Sequence, residues 1–418
     1  MRGWKMLAVL LVLLLTASTS HAAGFRLPEA GVKAMGMGFA FTAQADDPSA
    51  IYFNPAGLTQ LEGSNLMLGV TYVKENGAEF SGTAHLPGPS PETQKDLNFY
   101  IPNAYYTYTS KSLGMAFGIG IFAPFGLGQE YQNRDTSIFR DQVTKIDLQT
   151  IVVNPTIAFD INEYLSFGAG IDYLWANVTY EKTGVVPSGA PYGGPGQFYT
   201  KLDGSADAWG YNFGVLVKPT KNVKIGLSYR SQFLVKAKDL DFSASSLVGT
   251  ANGLIFPMGT TKATATLGLP ATAAVGISYT YNRLTFELDG DWTFWHSYSA
   301  LNIDNKSVPT YTKHQPKNWK DVCALRTGVE YRVTDPLALR AGFVYDPTPA
   351  PGSTMGPELP DSTRLNYMLG AGYKVGRWTI DLAGMYIDKK DRTENNAQFN
   401  GTWKGDAWLA GLDIGYKF

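Results

Sequence analysis

The chain ends in WLAGLDIGYKF, Trp408–Phe418, in which two kinds of side chain alternate. One face carries apolar and aromatic side chains, at Trp408, Ala410, Leu412, Ile414, Tyr416 and Phe418. A period of two is that of a β-strand, and one face of this strand is fully apolar. At the edge of a soluble sheet such a strand would promote aggregation, whereas in a membrane barrel it has both a partner strand and lipid contact. The pattern therefore favours a strand that closes a barrel, with Tyr416 and Phe418 at its end.

The same alternation recurs inside the chain, in Leu165–Trp175, Val223–Val235 and Arg283–Trp292. A soluble β-sandwich would alternate in the same way, so the period alone does not identify a membrane protein. Each alternating stretch runs for ten residues or more, and Trp and Tyr recur near the ends of the strands. Tilted strands that cross a bilayer have this length and carry aromatic girdles at both interfaces.

Six short polar turns allow the strands to be counted, since bacterial barrels have short periplasmic turns and longer outer loops. The turns lie at residues 110–112, 162–163, 219–222, 281–283, 334–336 and 375–377. Two strands between successive turns and one at each end predict 14 antiparallel strands within residues 64–418. The outer loops are expected near residues 74–97, 127–144, 183–205, 243–261, 299–318, 346–362 and 389–405.

The N-terminus predicts export. Arg2 and Lys5 flank an apolar run, Met6–Leu15, and small residues surround a cleavage position after Ala22. The apolar run is too short for a transmembrane helix, so residues 1–22 are interpreted as a signal peptide. No later apolar run reaches the length of a membrane helix.

Composition excludes several classes of protein. The formal net charge is −1, which gives no general attraction to nucleic acid. The single Cys323 cannot form an internal disulfide, and the four histidines do not fall at metal-ligand spacing, so we expect no metal or other cofactor. No nucleophile with a positioned base can be identified, which argues against an outer-membrane lipase or protease.

Residues 23–63 differ from the rest of the chain because they contain two helix-start signals, Asp47-Pro48 and Asn54-Pro55, each an N-cap followed by proline. A segment this short cannot form its own domain, and the lumen of a 14-stranded barrel is too wide to be filled by its own side chains. We therefore expect an N-terminal helical hatch that plugs the lumen. Its motif comprises Asp46, Asp47, Asn54, Pro55, Ala56 and Gly57, with Asn54 capping and the two aspartates bonded to lumenal Arg or Lys.

Several motifs together resemble one family, the outer-membrane long-chain fatty acid transporters and their relatives that import aromatic hydrocarbons. They are AGF (23–25), ADDPSAIYFNPAGL (45–58), FGIGIFAPFGLGQEY (117–131), LRAGFVYDPTP (339–349) and LPDSTR (359–364). The resemblance covers the whole mature chain and implies a 14-stranded barrel with a hatch. It also implies passive uptake of hydrophobic compounds through a lumenal pocket, gated by the hatch and ending in lateral release at a kinked third strand. Fatty acid and hydrocarbon substrates both remain open.

The resemblance also suggests functional residues. Pro124, Phe125 and Gly126 correspond to the kink, although Pro124 could instead end the strand. Ligand contacts are expected from Phe25, Met35, Met37, Phe39 and Phe41, for which hatch packing is the alternative, and from Arg230 and Arg326, for which structural ion pairs are the alternative. We expect a monomer in contact with outer-membrane lipid and lipopolysaccharide. An aqueous porin and a structural or adhesive barrel are the alternative functions.

Overall fold

The computed structural model describes residues 24–186, 196–248, 259–307 and 312–418. The predicted signal peptide, residues 1–22, and Ala23 lie outside the described residues. The helices among these residues are short: α1 (Val32–Gly36), α2 (Ala50–Phe53) and three 3-10 helices, Pro55–Gln60, Trp295–Ser297 and Gly352–Thr354. Within the described ranges, no helix is both long enough and apolar enough to cross a membrane.

The rest of the described chain is almost entirely β-structure. The strands are β1 (Gly63–Glu75), β2 (Glu79–Ala84), β3 (Glu92–Thr93), β4 (Leu97–Ser110), β5 (Met115–Phe122), β6 (Gly126–Glu130), β7 (Lys145–Asn162), β8 (Leu165–Val186), β9 (Gly196–Thr220), β10 (Val223–Arg230), β11 (Phe233–Val248), β12 (Gly259–Leu269), β13 (Ala271–Tyr281), β14 (Leu284–Phe294), β15 (Ala300–Asp304), β16 (Lys313–Pro316), β17 (Val322–Arg332), β18 (Leu337–Asp346), β19 (Arg364–Val375), β20 (Trp378–Asn395) and β21 (Phe399–Lys417).

These pieces form one closed barrel. Strand β1 pairs antiparallel with β4 on one side and with the last strand, β21, on the other, so the sheet has no free edge there. Over the described residues the wall has 14 strands, because seven of them consist of two consecutive pieces. All six predicted turns separate consecutive strands, and the 14-stranded prediction is confirmed. At the closure, the Phe418 N–H donates to the Ser64 carbonyl at 3.0 Å.

The predicted outer loops were too long in several places. Strands β8 and β9 have 22 and 25 residues and extend well into the predicted loop 183–205. About ten residues suffice to cross a bilayer, so these hairpins project beyond it. In the projecting part the inward face stays buried, as at Tyr180, Phe198 and Leu202, whereas the outward face carries polar side chains such as Lys201 and Asp203. The apolar outward stripe that marks a lipid-facing strand is therefore absent there. Conversely, Val223–Val235, predicted as one strand, is interrupted at Ser231 and Gln232.

The outer surface of the wall is apolar. Large side chains that are more than a third exposed point away from the lumen on successive strands, among them Tyr106, Phe117, Ile157, Tyr211, Phe286, Leu339, Leu369 and Leu412. In water this surface would be unfavourable by about 25 cal/mol per Å². A band of this kind is the lipid-facing surface of a transmembrane barrel.

Residues 24–62 lie inside the barrel, in contact with strands around its circumference. Inward-facing glycines let the backbone of this segment approach the wall closely. A Cβ at Gly370 would lie 3.0 Å from the Cα of Gly36, and one at Gly214 would lie 2.8 Å from Cδ of Pro55. Other wall glycines lie against the backbone of this segment at Gly168, Gly226, Gly328 and Gly342, and against its side chains at Gly118, Gly120, Gly126, Gly276 and Gly411. We refer to residues 24–62 as the N-terminal segment.

Candidate functional site

Asn54 connects three parts of the structure. Its side-chain amide donates to the Thr42 carbonyl at 2.7 Å and to the Val215 carbonyl of β9 at 3.1 Å. Its side-chain oxygen accepts the Ala56 N–H at 3.2 Å and so caps the 3-10 helix that begins at Pro55. The side chain is fully buried, so these bonds have no competition from water. Next to this cap, Gly57 lies against the Ala45 carbonyl.

The two aspartates of the motif bond to partners within the N-terminal segment. Asp46 pairs with Lys33 of the same segment at 2.7 Å, and Lys33 reaches Glu330 of β17 at 3.8 Å. Asp47 accepts the Ser49 N–H at 2.8 Å. Burial raises the pKa of the Asp47 carboxyl to about 6, although Lys33 and the bond from Ser49 act in the opposite direction. The direct bonds expected to lumenal Arg or Lys are replaced by partners within the segment.

Carboxylates of the wall hold the backbone of the N-terminal segment. Asp289 accepts the N–H groups of Phe41 and Thr42, both at 2.9 Å. Glu287, its neighbour on the inward face of β14, accepts those of Ala43 and Gln44 at 2.7 and 2.9 Å. On β21, Asp413 accepts the Val32 N–H at 2.6 Å. Sequence analysis missed this role, although the inward acidic residues of Arg283–Trp292 were a visible signal for it.

Both candidate arginines form ion pairs with carboxylates of the wall. Arg230 pairs with Asp172, and its guanidinium lies 5.0 Å from the ring centre of Phe122. Arg326 pairs with Asp291 at 2.7 Å. Both arginines line a small cavity of about 30 Å³ rather than the main cavity described below. Their position fits the structural alternative, an ion pair that fixes the wall, and does not bring them to a ligand-sized space.

The apolar candidates of the N-terminal segment are packed against the wall. Met35, Met37, Phe39 and Phe41 are at most 1% exposed, and they are not among the residues that line the main cavity. Phe25 is also buried, within an aromatic cluster. Its ring centre lies 4.7 to 6.3 Å from those of Trp295, Tyr298, Trp319 and Phe125.

The third strand of the wall is interrupted where the kink was expected. β5 ends at Phe122 and β6 begins at Gly126, so Pro124 does not end the strand at an outer loop. The N-terminal segment fills the interruption with its own backbone. Leu27 N–H donates to the Pro124 carbonyl at 2.8 Å, and Gly126 N–H donates to the Phe25 carbonyl at 3.0 Å. The start of the segment is thus paired with the break in the wall.

The interruption leaves a gap between neighbouring strands. β4 pairs with β5 only from Asn103 onward, although β4 itself extends back to Leu97. β6 pairs with β7 on its other side, from Gly126 to Glu130. Residues 97–102 and 126–129 therefore face each other without a ladder between them. Beyond the gap, a bridge between Gln94 and Tyr131 reconnects the wall.

A cavity of about 580 Å³ lies behind this gap. Its lining includes inward residues such as Leu148 and Met385, and also Tyr100, Ile151 and Trp175, which are 38 to 71% exposed on the outer face. The cavity therefore connects the lumen with the outer surface through the gap. The N-terminal segment contributes Gly24, Arg26, Leu27, Pro28 and Glu29 to its lining.

An inward-folded loop between β18 and β19 covers the cavity and was not anticipated as part of the site. Its Asp361 accepts the Gly24 N–H at 3.2 Å and pairs with Arg364 at 2.8 Å. Arg364 also donates to the Gly24 carbonyl at 2.9 Å. Elsewhere in the loop, Glu358 pairs with the buried Lys317, which holds the pKa of Glu358 below its usual value although burial opposes ionisation. The loop and the start of the N-terminal segment are therefore joined.

In the described ranges, no group of three or more His, Cys, Asp or Glu side chains is arranged so that it could hold a metal ion. Two histidines have exposed polar partners: His296 pairs with Asp321 at 2.8 Å, and His85 bonds the Ala397 carbonyl at 2.6 Å.

Sequence comparison identifies relatives across nearly the full length. A model of the family described as "Outer membrane protein transport protein (OMPP1/FadL/TodX)" matches residues 13–418. The long-chain fatty acid transport protein of Salmonella typhi is 26% identical over 440 residues, covering 98% of each chain.

Solved structures share the architecture. A FadL homologue of Pseudomonas aeruginosa superposes with a TM-score of 0.82 at 22% identity, covering 95% of this chain and 100% of the other. The toluene transporter TodX of Pseudomonas putida gives a TM-score of 0.73 at 19% identity, covering 94% and 99%. At these identities the likeness establishes the barrel fold.

Proposed function

The chain belongs to the OMPP1/FadL/TodX family of outer membrane transport proteins, and we propose that it takes up hydrophobic small molecules passively by lateral release into the membrane. The observation that carries this proposal is the continuity of the cavity from the lumen to the outer face of the wall. Fatty acids and aromatic hydrocarbons, the ligands named for the relatives, both belong to this class.

The cavity has the size and lining of a ligand site. Its volume of about 580 Å³ lies within the usual range for small-molecule pockets, about 300–1,000 Å³. Leu127, Leu148 and Met385 provide apolar contact, and Phe99 and Trp403 add aromatic surface. The free energy of a hydrophobic ligand falls when it leaves water for such a lining. We propose these residues as ligand contacts in place of the methionines and phenylalanines of the N-terminal segment.

The N-terminal segment serves as the hatch. It occupies the lumen on the periplasmic side of the cavity, and its backbone pairs with the interrupted strand at Pro124 and Gly126. A straight aqueous path would have to cross buried residues of the segment, which is why we favour a hydrophobic route over an aqueous porin. Phe25 to Leu27 border the gap, so a shift of these residues would widen the opening through which the ligand leaves.

The surroundings of the transporter follow from this route. Ligand leaving through the gap enters the lipid that contacts the apolar outer face, so outer-membrane lipid, together with lipopolysaccharide in the outer leaflet, is its immediate partner. One barrel contains the cavity, the gap and the hatch, so the proposed unit is a monomer. Catalysis has no part in the proposal, since the named relatives are transport proteins.

The test restores a continuous third strand in the wall. In Pro124→Val combined with Gly126→Val, residue 124 regains an N–H and both positions gain a β-branched side chain, which favours a continuous ladder. A Cβ at Gly126 meets only the flexible end of Leu27, at 2.7 Å, so the barrel can accommodate the change. Uptake of labelled toluene by cells that lack other transporters is expected to fall at least tenfold, while binding of toluene to the purified protein is retained.

A matched control places the same substitutions in intact strands. Pro155→Val with Gly384→Val changes β7 and β20, and a Cβ at Gly384 meets no atom closer than 4.0 Å. This control is expected to transport like the unmodified protein. Unchanged uptake in the Pro124 and Gly126 double variant would eliminate lateral release through the gap.

A further inference from the structure

The charged side chains around the main cavity carry information about the ligand that the apolar lining does not. Among the described residues, five cations line it, and each lies within ion-pair distance of a carboxylate. Arg26 pairs with Asp291 at 2.6 Å, Arg364 with Asp361 at 2.8 Å, Lys389 with Glu75 at 2.5 Å, Lys390 with Asp388 at 2.6 Å and Lys404 with Asp391 at 3.2 Å. Each of these cations therefore already has a carboxylate partner in the protein, although Asp291 is shared by Arg26 and Arg326.

The carboxylates of the lining are not compensated to the same extent. Among the described residues, Glu29, Asp147 and Asp346 line the cavity without a Lys or Arg nitrogen within ion-pair distance. Glu29 is 5% exposed, and one of its carboxyl oxygens has no hydrogen-bond partner in the protein. Burial raises the pKa of Glu29 to about 7, so above that pH Glu29 is ionised and the charge left over at the cavity is negative.

From this pattern we infer that the cavity selects uncharged hydrophobic molecules and discriminates against carboxylates. The inference rests on the proposed function and specifies the class of substrate for the same cavity. It differs from what a fatty acid anion would require, namely a cation free to receive its head group.

A carboxylate would be disfavoured in two ways. It would lie near Glu29, Asp147 and Asp346, and repulsion between like charges is stronger in a partly dry cavity than in water. To gain a cation of its own, it would have to break a pair such as Arg364–Asp361, in which the aspartate side chain is 0% exposed, and would leave that buried charge without a cation. An alcohol avoids both costs, and its hydroxyl can donate to the unpartnered oxygen of Glu29.

The test compares two ligands with the same alkyl chain. Equilibrium dialysis of labelled 1-decanol and of decanoate against the purified full mature protein is carried out at pH 8.5, where decanoate is ionised. We expect decanol to bind at least about tenfold more tightly, the effect of one unfavourable charge contact in a medium of intermediate dielectric. Equal affinity, or tighter binding of decanoate, would overturn the inference and leave the proposed function standing. If neither ligand binds, the proposed function itself fails.

Variants connect the discrimination to the cavity. Asp147→Asn and Asp346→Asn each remove one uncompensated charge, and each is expected to reduce the decanoate-to-decanol ratio of dissociation constants by threefold or more. Asp241→Asn is the matched control, because Asp241 is 57% exposed and pairs with Lys262 away from the cavity. A ratio unchanged in both cavity variants, or equally changed in Asp241→Asn, would refute the assignment to these carboxylates.

Discussion

Replacing Asn54 with alanine is expected to loosen the N-terminal segment while the barrel wall stays intact. The substitution removes the cap on Ala56 N–H, a loss of about 1 kcal/mol. It also removes the bonds to the Thr42 and Val215 carbonyls, which contribute about 1 kcal/mol each in a buried setting. Together the opening free energy of residues 42–60 should fall by about 3 kcal/mol, a factor of roughly a hundred in the population of the open state.

Hydrogen exchange followed by mass spectrometry measures this population directly. Amides between residues 42 and 60 should exchange roughly a hundredfold faster in Asn54→Ala, under conditions in which closing outpaces exchange. Amides of β7 and β8 should be unaffected, because their ladders do not involve Asn54.

Asn65→Ala is the control, because the Asn65 side chain also makes two hydrogen bonds, to the Glu62 and Gly63 carbonyls, but at the surface. It should leave the segment protected. If the amides of residues 42–60 exchange as slowly in Asn54→Ala as in the unmodified chain, the hydrogen bonds of Asn54 do not hold the segment and the reasoning is wrong.

Two further predictions concern closure and pH. Deleting Phe418 removes the N–H that bonds Ser64 and a ring whose centre lies 5.0 Å from that of Tyr416, so the yield of heat-modifiable folded barrel on gels should fall strongly; full assembly would contradict the role of the last strand. Burial raises the pKa of Glu29 from 4.5 to about 7, so its charge in the folded state is unfavourable and stability declines as pH rises through this window. Glu29→Gln should therefore stabilise the protein by up to about 3 kcal/mol in urea unfolding at pH 8.5 and by nothing at pH 4, and equal effects at both pH values would refute this.

The barrel was predictable from sequence because its signals are local. Alternation in Trp408–Phe418 reports a strand with one lipid face, and a polar turn such as 162–163 separates strands whatever the rest of the chain does. The interruption of the strand at Pro124 could also be predicted from sequence, since proline lacks the N–H that a ladder needs. In each case a few neighbouring residues determine the geometry.

The site was less predictable because it depends on contacts between distant residues. Parity places Arg230 and Arg326 on the inward face but does not reveal that Asp172 and Asp291 neutralise them. The cavity is lined partly by Leu359–Ser362, in a loop that has no periodicity to interpret. The alternation of apolar and polar residues also cannot show that Asp289 accepts backbone N–H groups, because the donors, Phe41 and Thr42, belong to an irregular segment.

The bonds from the N-terminal segment to wall carboxylates constrain the order of folding. Val32 donates to Asp413, 381 positions later in the chain, and Phe41 donates to Asp289, 248 positions later. The residues that leave the translocation machinery first thus find their acceptors only when the final strand has arrived. Because such distant pairings carry a large loop-closure cost, we expect Val32 and Phe41 to gain these hydrogen bonds late in folding, once β14 and β21 are in place.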